Sequence, residues 1–254
     1  MKIFEKRLVS FLLALIIVVG MLPPVSLDAK AETTGLEGKT ISILGDSIST
    51  YTGVSDDASV NATLSGGAIY YTPGRWDVYR EDTWWQQTID ALGMKLLVNN
   101  SWSGSSVLHT RRGTEGAYVD RCVQLHNDKT GEEPDIIVVY MGGNDFNYYQ
   151  DTLGTADIDY NALITENPDG TFTYAEPVTT CEAYAILLHK MKIRYPEAEI
   201  YCMTSTPRRD PDKEDSYPDV GQPTAFNAER MQIAAHFGCI VVDIENCGIS
   251  KEAE

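Results

Sequence analysis

The chain has 254 residues, of which 37 are acidic and 20 basic, so its formal net charge at pH 7 is −17. So acidic a balance argues against nucleic acid or an anionic membrane surface as a partner, because both require clustered Lys and Arg. The length fits a single α/β domain behind a short leader.

The N-terminus has the three parts of a secretory signal peptide. A basic segment precedes an apolar stretch at residues 8–22, and Ala29-Lys30-Ala31 fits the small-x-small rule for cleavage. A transmembrane anchor is the weaker alternative, because the stretch is shorter than the ~20 residues that cross a bilayer and prolines follow it. We predict a signal peptide at residues 1–31, a mature domain at 32–254, secretion, and no stable membrane insertion after cleavage.

Residues 40–44 form a short apolar run rich in β-branched side chains, which is typical of a strand buried on both faces. The run stops at Gly45-Asp46-Ser47, where glycine permits a sharp turn and small polar residues favour the start of a helix. Ser47 would then present its hydroxyl at the carboxyl edge of a sheet, where open α/β folds bind ligands. Alternatively, Asp46 and Ser47 merely cap a helix.

Two further predicted strands also end in polar loops that contain glycine. Residues 95–99 lead into a loop with Gly104, and residues 135–141 lead into a loop with Asn144. If the strands are parallel, all three loops meet at one edge of the sheet. A serine oxygen, a glycine N–H and an asparagine amide would lie there together, as acyl transfer requires.

The remaining elements alternate between helix and strand, apart from one insertion. The turn signal Asn167-Pro168-Asp169-Gly170 predicts a hairpin inserted near the active edge. The alternation elsewhere implies a parallel sheet covered by helices on both faces. The predicted helices begin at Asp82 or Thr83 (ending at Gly93), at Thr114, at Thr179 in a capping box with Glu182, and at Thr224, and the last two strands cover residues 199–205 and 239–244.

The five cysteines show no Cys-x-x-Cys or Cys/His spacing that suggests zinc. We interpret them as mostly buried thiols; one disulfide is compatible with the count, and its partners are left open. No metal and no cofactor is predicted.

The three loop motifs resemble those of the SGNH (GDSL-type) hydrolase family, in order and spacing, over residues 39–249. The resemblance implies a three-layer α/β/α domain with a five-stranded parallel, flavodoxin-like sheet of order 2-1-3-4-5. It implies Ser47 as the nucleophile of an esterase, with the Ser47 N–H, the Gly104 N–H and the Asn144 amide as the oxyanion hole. Ser47 and Asn144 would flank the point where the strand order reverses.

The family's C-terminal Asp-x-x-His block, which supplies the catalytic acid and base, does not occur in this sequence. We therefore expect a sequence truncated at Glu254, with almost no activity and with apolar sheet surface exposed where a last helix would pack. Of the four histidines only His109, five residues past Gly104, starts from the active edge. We interpret His109 as a loop or substrate-contact residue rather than the base.

Four arginines are predicted to lie in loops at the active edge: Arg111, Arg112, Arg208 and Arg209. They could bind a carboxylate or sulfate on a polysaccharide, although solvated arginines balancing nearby acidic residues are the favoured alternative. The adjacent Tyr148 and Tyr149 could stack on sugar rings. Together with export, these features favour a carbohydrate O-acyl (acetyl) esterase acting on a small-molecule or polysaccharide ester.

Three alternatives remain open at this stage. The first is a catalytically inactive relative that binds glycans through the same cleft, and the second is a lipase or acylhydrolase of the same family. The third, a flavodoxin-like phosphate- or nucleotide-binding module, is disfavoured because the sequence has no Gly-rich phosphate loop.

Overall fold

A computed structural model describes residues 35–54, 69–73, 78–111, 115–206 and 222–246. All the described helices and strands belong to the unit Leu36–Glu254. The predicted signal peptide lies outside the described residues. Among the residues that are described, none of the helices is both long and apolar enough to cross a bilayer.

Five parallel strands form the central sheet, and two short antiparallel strands form a separate hairpin. In chain order the strands are β1 (Thr40–Gly45), β2 (Lys95–Ser101), β3 (Ile136–Tyr140), β4 (Ile164–Glu166), β5 (Phe172–Tyr174), β6 (Glu199–Met203) and β7 (Ile240–Val242). The sheet order is β2-β1-β3-β6-β7, which confirms the predicted order once the hairpin strands are left out of the numbering.

Helices cover the two faces of this sheet, as its continuous apolar strands require. They are α1 (Trp84–Leu92), α2 (Gly143–Tyr148), α3 (Tyr160–Leu163), α4 (Thr180–Arg194) and α5 (Thr224–His236). Ile41 and Ile43 of β1 pack toward Trp85 of α1, while Leu44 joins the larger cluster that contains Leu187 of α4. The three-layer α/β/α architecture is therefore confirmed.

The ends of two helices follow the predicted capping chemistry. Thr83 accepts a hydrogen bond from the Gln86 backbone N–H at the start of α1, and Gly93 ends that helix in the left-handed region at φ 66°. Thr179 and Glu182 form the predicted capping box before α4. The predicted cap of α5 is wrong, because Pro223 occupies the cap position and the Thr224 hydroxyl donates to Glu245 instead.

The helix predicted to begin at Thr114 is also wrong. Residues 117–120 form turns, and only Arg121–Val123 makes one 3₁₀ turn. Side chains from elsewhere bind the carbonyls that a helix would use: Asn100 Nδ2 donates to Arg121 O and Gln124 O, and Lys190 Nζ donates to two more. The segment is therefore fixed by long-range contacts rather than by its apolar spacing.

The hairpin of β4 and β5 forms as predicted, but its predicted position near the active edge is wrong. The hairpin contacts His189 through two aromatic residues. The Tyr174 hydroxyl lies 3.0 Å from His189 Nδ1, and the Phe172 ring centroid lies 4.6 Å from that of His189. Helix α4 begins at the carboxyl edge, where Thr180 contacts Asp145, and His189 lies roughly 13 Å further along it. The hairpin's aromatic residues thus cover the distant half of α4.

Two further expectations concern apolar groups. Cys122, Cys181, Cys202 and Cys239 are free and buried, which confirms that interpretation for the described cysteines; Cys247 lies outside the described residues. Ile240 and Val241 of the edge strand β7 are exposed within the described part of the chain, and the expectation of a missing last helix stays a prediction.

Candidate active site

The first loop turns sharply after β1. Asp46 has extended backbone and its carboxylate caps a 3₁₀ turn, Ser47–Ser49, by accepting from the Ile48 N–H. Only glycine fits at position 45, because a Cβ there would lie 2.6 Å from Ser101 Oγ and from Ser49. The Ser47 side chain is partly exposed and makes no hydrogen bond within the described part of the chain. Asp46 is thus the capping residue, while the Ser47 hydroxyl is left available.

The second loop joins the first through the carbonyl of Gly45. The Trp102 N–H and the Ser105 hydroxyl both approach this oxygen, at 3.2 and 3.4 Å. Gly104 lies between these two donors in the left-handed region, at φ 79°, where glycine has no steric penalty. Gly104 is therefore held in a turn that packs against the base of the Ser47 loop.

The third loop contacts both of the others. Asn144 Nδ2 donates to Ser105 O at 2.8 Å, and the Asp145 carboxylate accepts from the Val107 and Leu108 N–H groups at 2.9–3.2 Å. A Cβ on Gly143 would lie 3.4 Å from Asp46 Oδ2. The loops that carry Ser47, Gly104 and Asn144 therefore meet at one edge of the sheet, as predicted. Asp145 thus holds the second loop.

Two buried arginines support these loops from below, and sequence reasoning missed both. Arg121 donates to Gly45 O at 2.9 Å and to Asn100 O at 2.7 Å. Arg230, which is fully buried, donates to Met141 O directly before the third loop and to Asn227 Oδ1 at 2.6 Å. A signal for Arg230 existed, since it lies at helical spacing between Phe226 and Ile233 on the apolar face of α5.

These charges lie in a dry environment, which shifts their titration. Burial raises the pKa of Asp46 to about 7, and it also raises the pKa of Asp145. Burial lowers the pKa of Arg121 to about 9. Two acidic side chains and two guanidinium groups are thus buried together beneath the loops, where their interactions with neighbouring backbone dipoles are stronger than they would be in water.

Arg111 lies above this edge, between the second and third loops. Its Nη1 donates to Gly104 O at 3.1 Å and to Asn144 Oδ1 at 3.4 Å. The guanidinium carbon lies 3.9 Å from the centroid of the Tyr148 ring, within cation–π distance. Arg112, Arg208 and Arg209, which were predicted beside it, lie outside the described residues.

Of the four histidines, all of which lie within the described residues, His109 alone belongs to one of the three loops, as predicted. His109 lies in the second loop, with Nε2 2.8 Å from Thr152 Oγ1 and its ring stacked on Tyr149 at 3.9 Å between centroids. Each of the other three contacts a tyrosine: His126 contacts Tyr195, His189 contacts Tyr174, and His236 contacts Tyr160. Within the described residues none of the four hydrogen-bonds to Ser47, and no cluster of His, Cys, Asp and Glu could hold a metal ion.

Comparison with known proteins identifies the family. A family model described as GDSL-like lipase/acylhydrolase matches residues 39–222. The fold is similar to that of a GDSL-like lipase from Bacteroides ovatus, with 26% identity over 84% of this chain and 88% of that chain and a TM-score of 0.59. It is also similar to one from Bacteroides uniformis, with 25% identity, 81% and 82% coverage and a TM-score of 0.54. A search of curated proteins found no match. The chain belongs to the GDSL-like lipase/acylhydrolase family of ester hydrolases.

Proposed function

We propose that this protein is a secreted carbohydrate O-acyl (acetyl) esterase that works through an acyl-enzyme on Ser47. The observation that carries the proposal is the hydrogen-bonded junction of the three loops, with Asn144 tied to Ser105 and both the second loop and Arg121 tied to Gly45 O. This junction favours an oxyanion site formed by the Ser47 N–H, the Gly104 N–H and the Asn144 amide.

The reaction has two halves. Ser47 Oγ attacks the ester carbonyl carbon and loses its proton, and the resulting oxyanion accepts hydrogen bonds from the three donors. Collapse of this intermediate breaks the bond to the alcohol, which leaves with a proton. Water then attacks the acyl-enzyme, releases the carboxylic acid and returns the proton to Ser47.

The proposal of a carbohydrate substrate is supported by aromatic side chains beside the junction. Tyr148 is 43% exposed, and it extends from α2, the helix that carries Asn144. An exposed ring in this position suits stacking against a sugar that carries the ester, while the second loop offers His109 as a polar contact. Export, which the N-terminal sequence predicts, would give such an enzyme access to polysaccharide.

We further propose that the chain of residues 1–254 turns over slowly. An alkyl hydroxyl is a weak nucleophile at neutral pH without an adjacent base, and none of the four histidines hydrogen-bonds to Ser47 within the described residues. The rate should then increase with hydroxide concentration instead of levelling off near pH 7, and added imidazole should accelerate it.

The test is hydrolysis of 4-nitrophenyl acetate and of acetylated xylo-oligosaccharides by the full chain. Replacing Ser47 with Ala should reduce the rate to background. It should also abolish the acetylated Ser47 peptide that we expect mass spectrometry to detect in the wild type. Thr52→Ala, which removes an exposed hydroxyl in the same segment, is the matched control and should retain wild-type activity.

Other outcomes would select the alternatives. Saturable binding of the oligosaccharide without acetate release would indicate an inactive glycan-binding relative. A strong preference for long-chain esters over acetyl esters would indicate a lipase. An S47A variant with wild-type turnover would end the serine mechanism.

A further inference from the structure

The orientation of the Asn144 side chain is defined by its neighbours on both sides. A backbone carbonyl only accepts and a guanidinium only donates, so the nitrogen of the Asn144 amide must face Ser105 O and its oxygen must face Arg111. Turning the amide over would break both bonds. One N–H of Asn144 then remains for a ligand, and its direction is set by Arg111 and Ser105 together.

Arg111 is itself held in place by contacts on both sides. Its Nη1 donates to Gly104 O as well as to Asn144, and the ring of Tyr148 packs against the plane of its guanidinium. Arg111 therefore connects the second and third loops, which carry the Gly104 and Asn144 donors. An arginine suits this place better than a lysine, because its planar fork holds a fixed direction on two acceptors while stacking on an aromatic ring.

We propose that Arg111 is a positioning residue of the oxyanion site, which fixes the Asn144 amide and the Gly104 turn in the geometry that receives the developing negative charge. The inference rests on the proposed esterase function. Arg111 acts through Asn144 and Gly104, so its loss should weaken binding of the tetrahedral intermediate while leaving binding of the uncharged ester little changed.

The decisive measurement is kcat and KM for 4-nitrophenyl acetate in Arg111→Met, Arg111→Lys and the wild type. We expect R111M to lower kcat about tenfold with KM changed by less than about twofold, since an indirect effect should be smaller than removal of a donor. The inhibition constant of an alkyl boronic acid, which forms a tetrahedral adduct on serine, should rise by the same factor. The kcat of R111K should lie between those of R111M and the wild type, because lysine keeps the charge and can keep one of the two hydrogen bonds.

Arg194→Met is the matched control. Arg194 is also an arginine that pairs at the surface, with Glu133 at 2.8 Å, but it lies at the end of α4. It should leave kcat, KM and the boronate constant unchanged. Tyr148→Leu, which removes the ring that packs on Arg111, should lower kcat in the same direction as R111M.

The outcomes separate the two proposals. If S47A is inactive while R111M has wild-type kcat and boronate affinity, the role of Arg111 is wrong and the serine mechanism stands. A rise in KM alone in R111M would make Arg111 a substrate-binding residue and would also overturn the inference. If S47A keeps wild-type activity, the proposed function fails first. Should R111M not fold, R111K and Y148L decide the question by the same criteria.

Discussion

The two edges of the parallel sheet use charge in opposite ways. At the carboxyl edge, Arg230 is fully buried and holds backbone and side-chain oxygens behind the third loop. At the far end of α4, Arg194 is 36% exposed in its side chain and pairs with Glu133 across the surface. Exposed pairs contribute little to stability, whereas a buried charge that loses its partners is costly. The difference indicates that the charges at the carboxyl edge serve to order loops.

The largest effect that would sharpen this contrast is expected at Arg230. Arg230→Met should lower the free energy of unfolding by about 3–5 kcal/mol, because it leaves Met141 O unpaired and removes a cation near Asp46 and Asp145. Arg194→Met should change it by less than about 1 kcal/mol. Urea titrations of both variants give the comparison, and similar losses in the two would contradict the contrast.

A second test uses the pH dependence of stability. Because burial raises the pKa of Asp46 from 3.8 to about 7, the folded protein keeps a proton there that the unfolded chain has released. The associated stability is complete below about pH 4 and is lost as pH rises through about 7. Relative to Asp46→Asn, the wild type should therefore lose up to about 1.4 kcal/mol for each pH unit between 5 and 7.

Asp135 supplies the matched control at the amino edge. Its carboxylate accepts from the Thr40 N–H at 2.7 Å, and this hydrogen bond lowers its pKa. Its stabilising effect is therefore present at neutral pH and is lost as the pH falls through the lowered pKa, the opposite sign from Asp46. A difference between wild type and D46N that does not vary with pH would contradict the assignment of a buried, protonated Asp46.

A third test compares two glycines in the left-handed region. Gly142 has φ 104° and a Cβ there would lie 2.9 Å from Arg230 Nη1, whereas Gly170 in the hairpin turn has φ 80° and nothing within 4 Å. Gly170→Ala should lower the free energy of unfolding by about 1 kcal/mol, from backbone strain alone. Gly142→Ala should lower it by about 1–3 kcal/mol more, because the buried Arg230 must also move. Thermal unfolding measures both, and equal losses would show that Arg230 adjusts freely.

The sequence predicts the features that depend on local pattern. The continuous apolar runs of β1 and β3 and the glycine after α1 are readable because burial on two faces and a left-handed stop leave a local signature. The order of the strands follows from the family resemblance together with the alternation of helix and strand.

What the sequence does not predict depends on contacts between distant segments. The turns around Arg121 exist because Asn100 and Lys190 bind their carbonyls, and no periodicity within residues 115–125 records this. Arg111 could be placed at the active edge from its position after the second loop, but its contact with Asn144 could not. Buried polar networks are specified by three-dimensional partners, so they are the part of the site that sequence pattern leaves open.

The pairing of β1 with both β2 and β3 has a consequence for how the protein acquires its site. The three loops come from strands that are far apart in the chain, and parallel pairing requires long crossovers to close before any of the loops can meet. No early folding intermediate with one helix and one strand can contain the site. The recovery of esterase activity after dilution from denaturant therefore reports completion of the central sheet, later than the first appearance of helical signal.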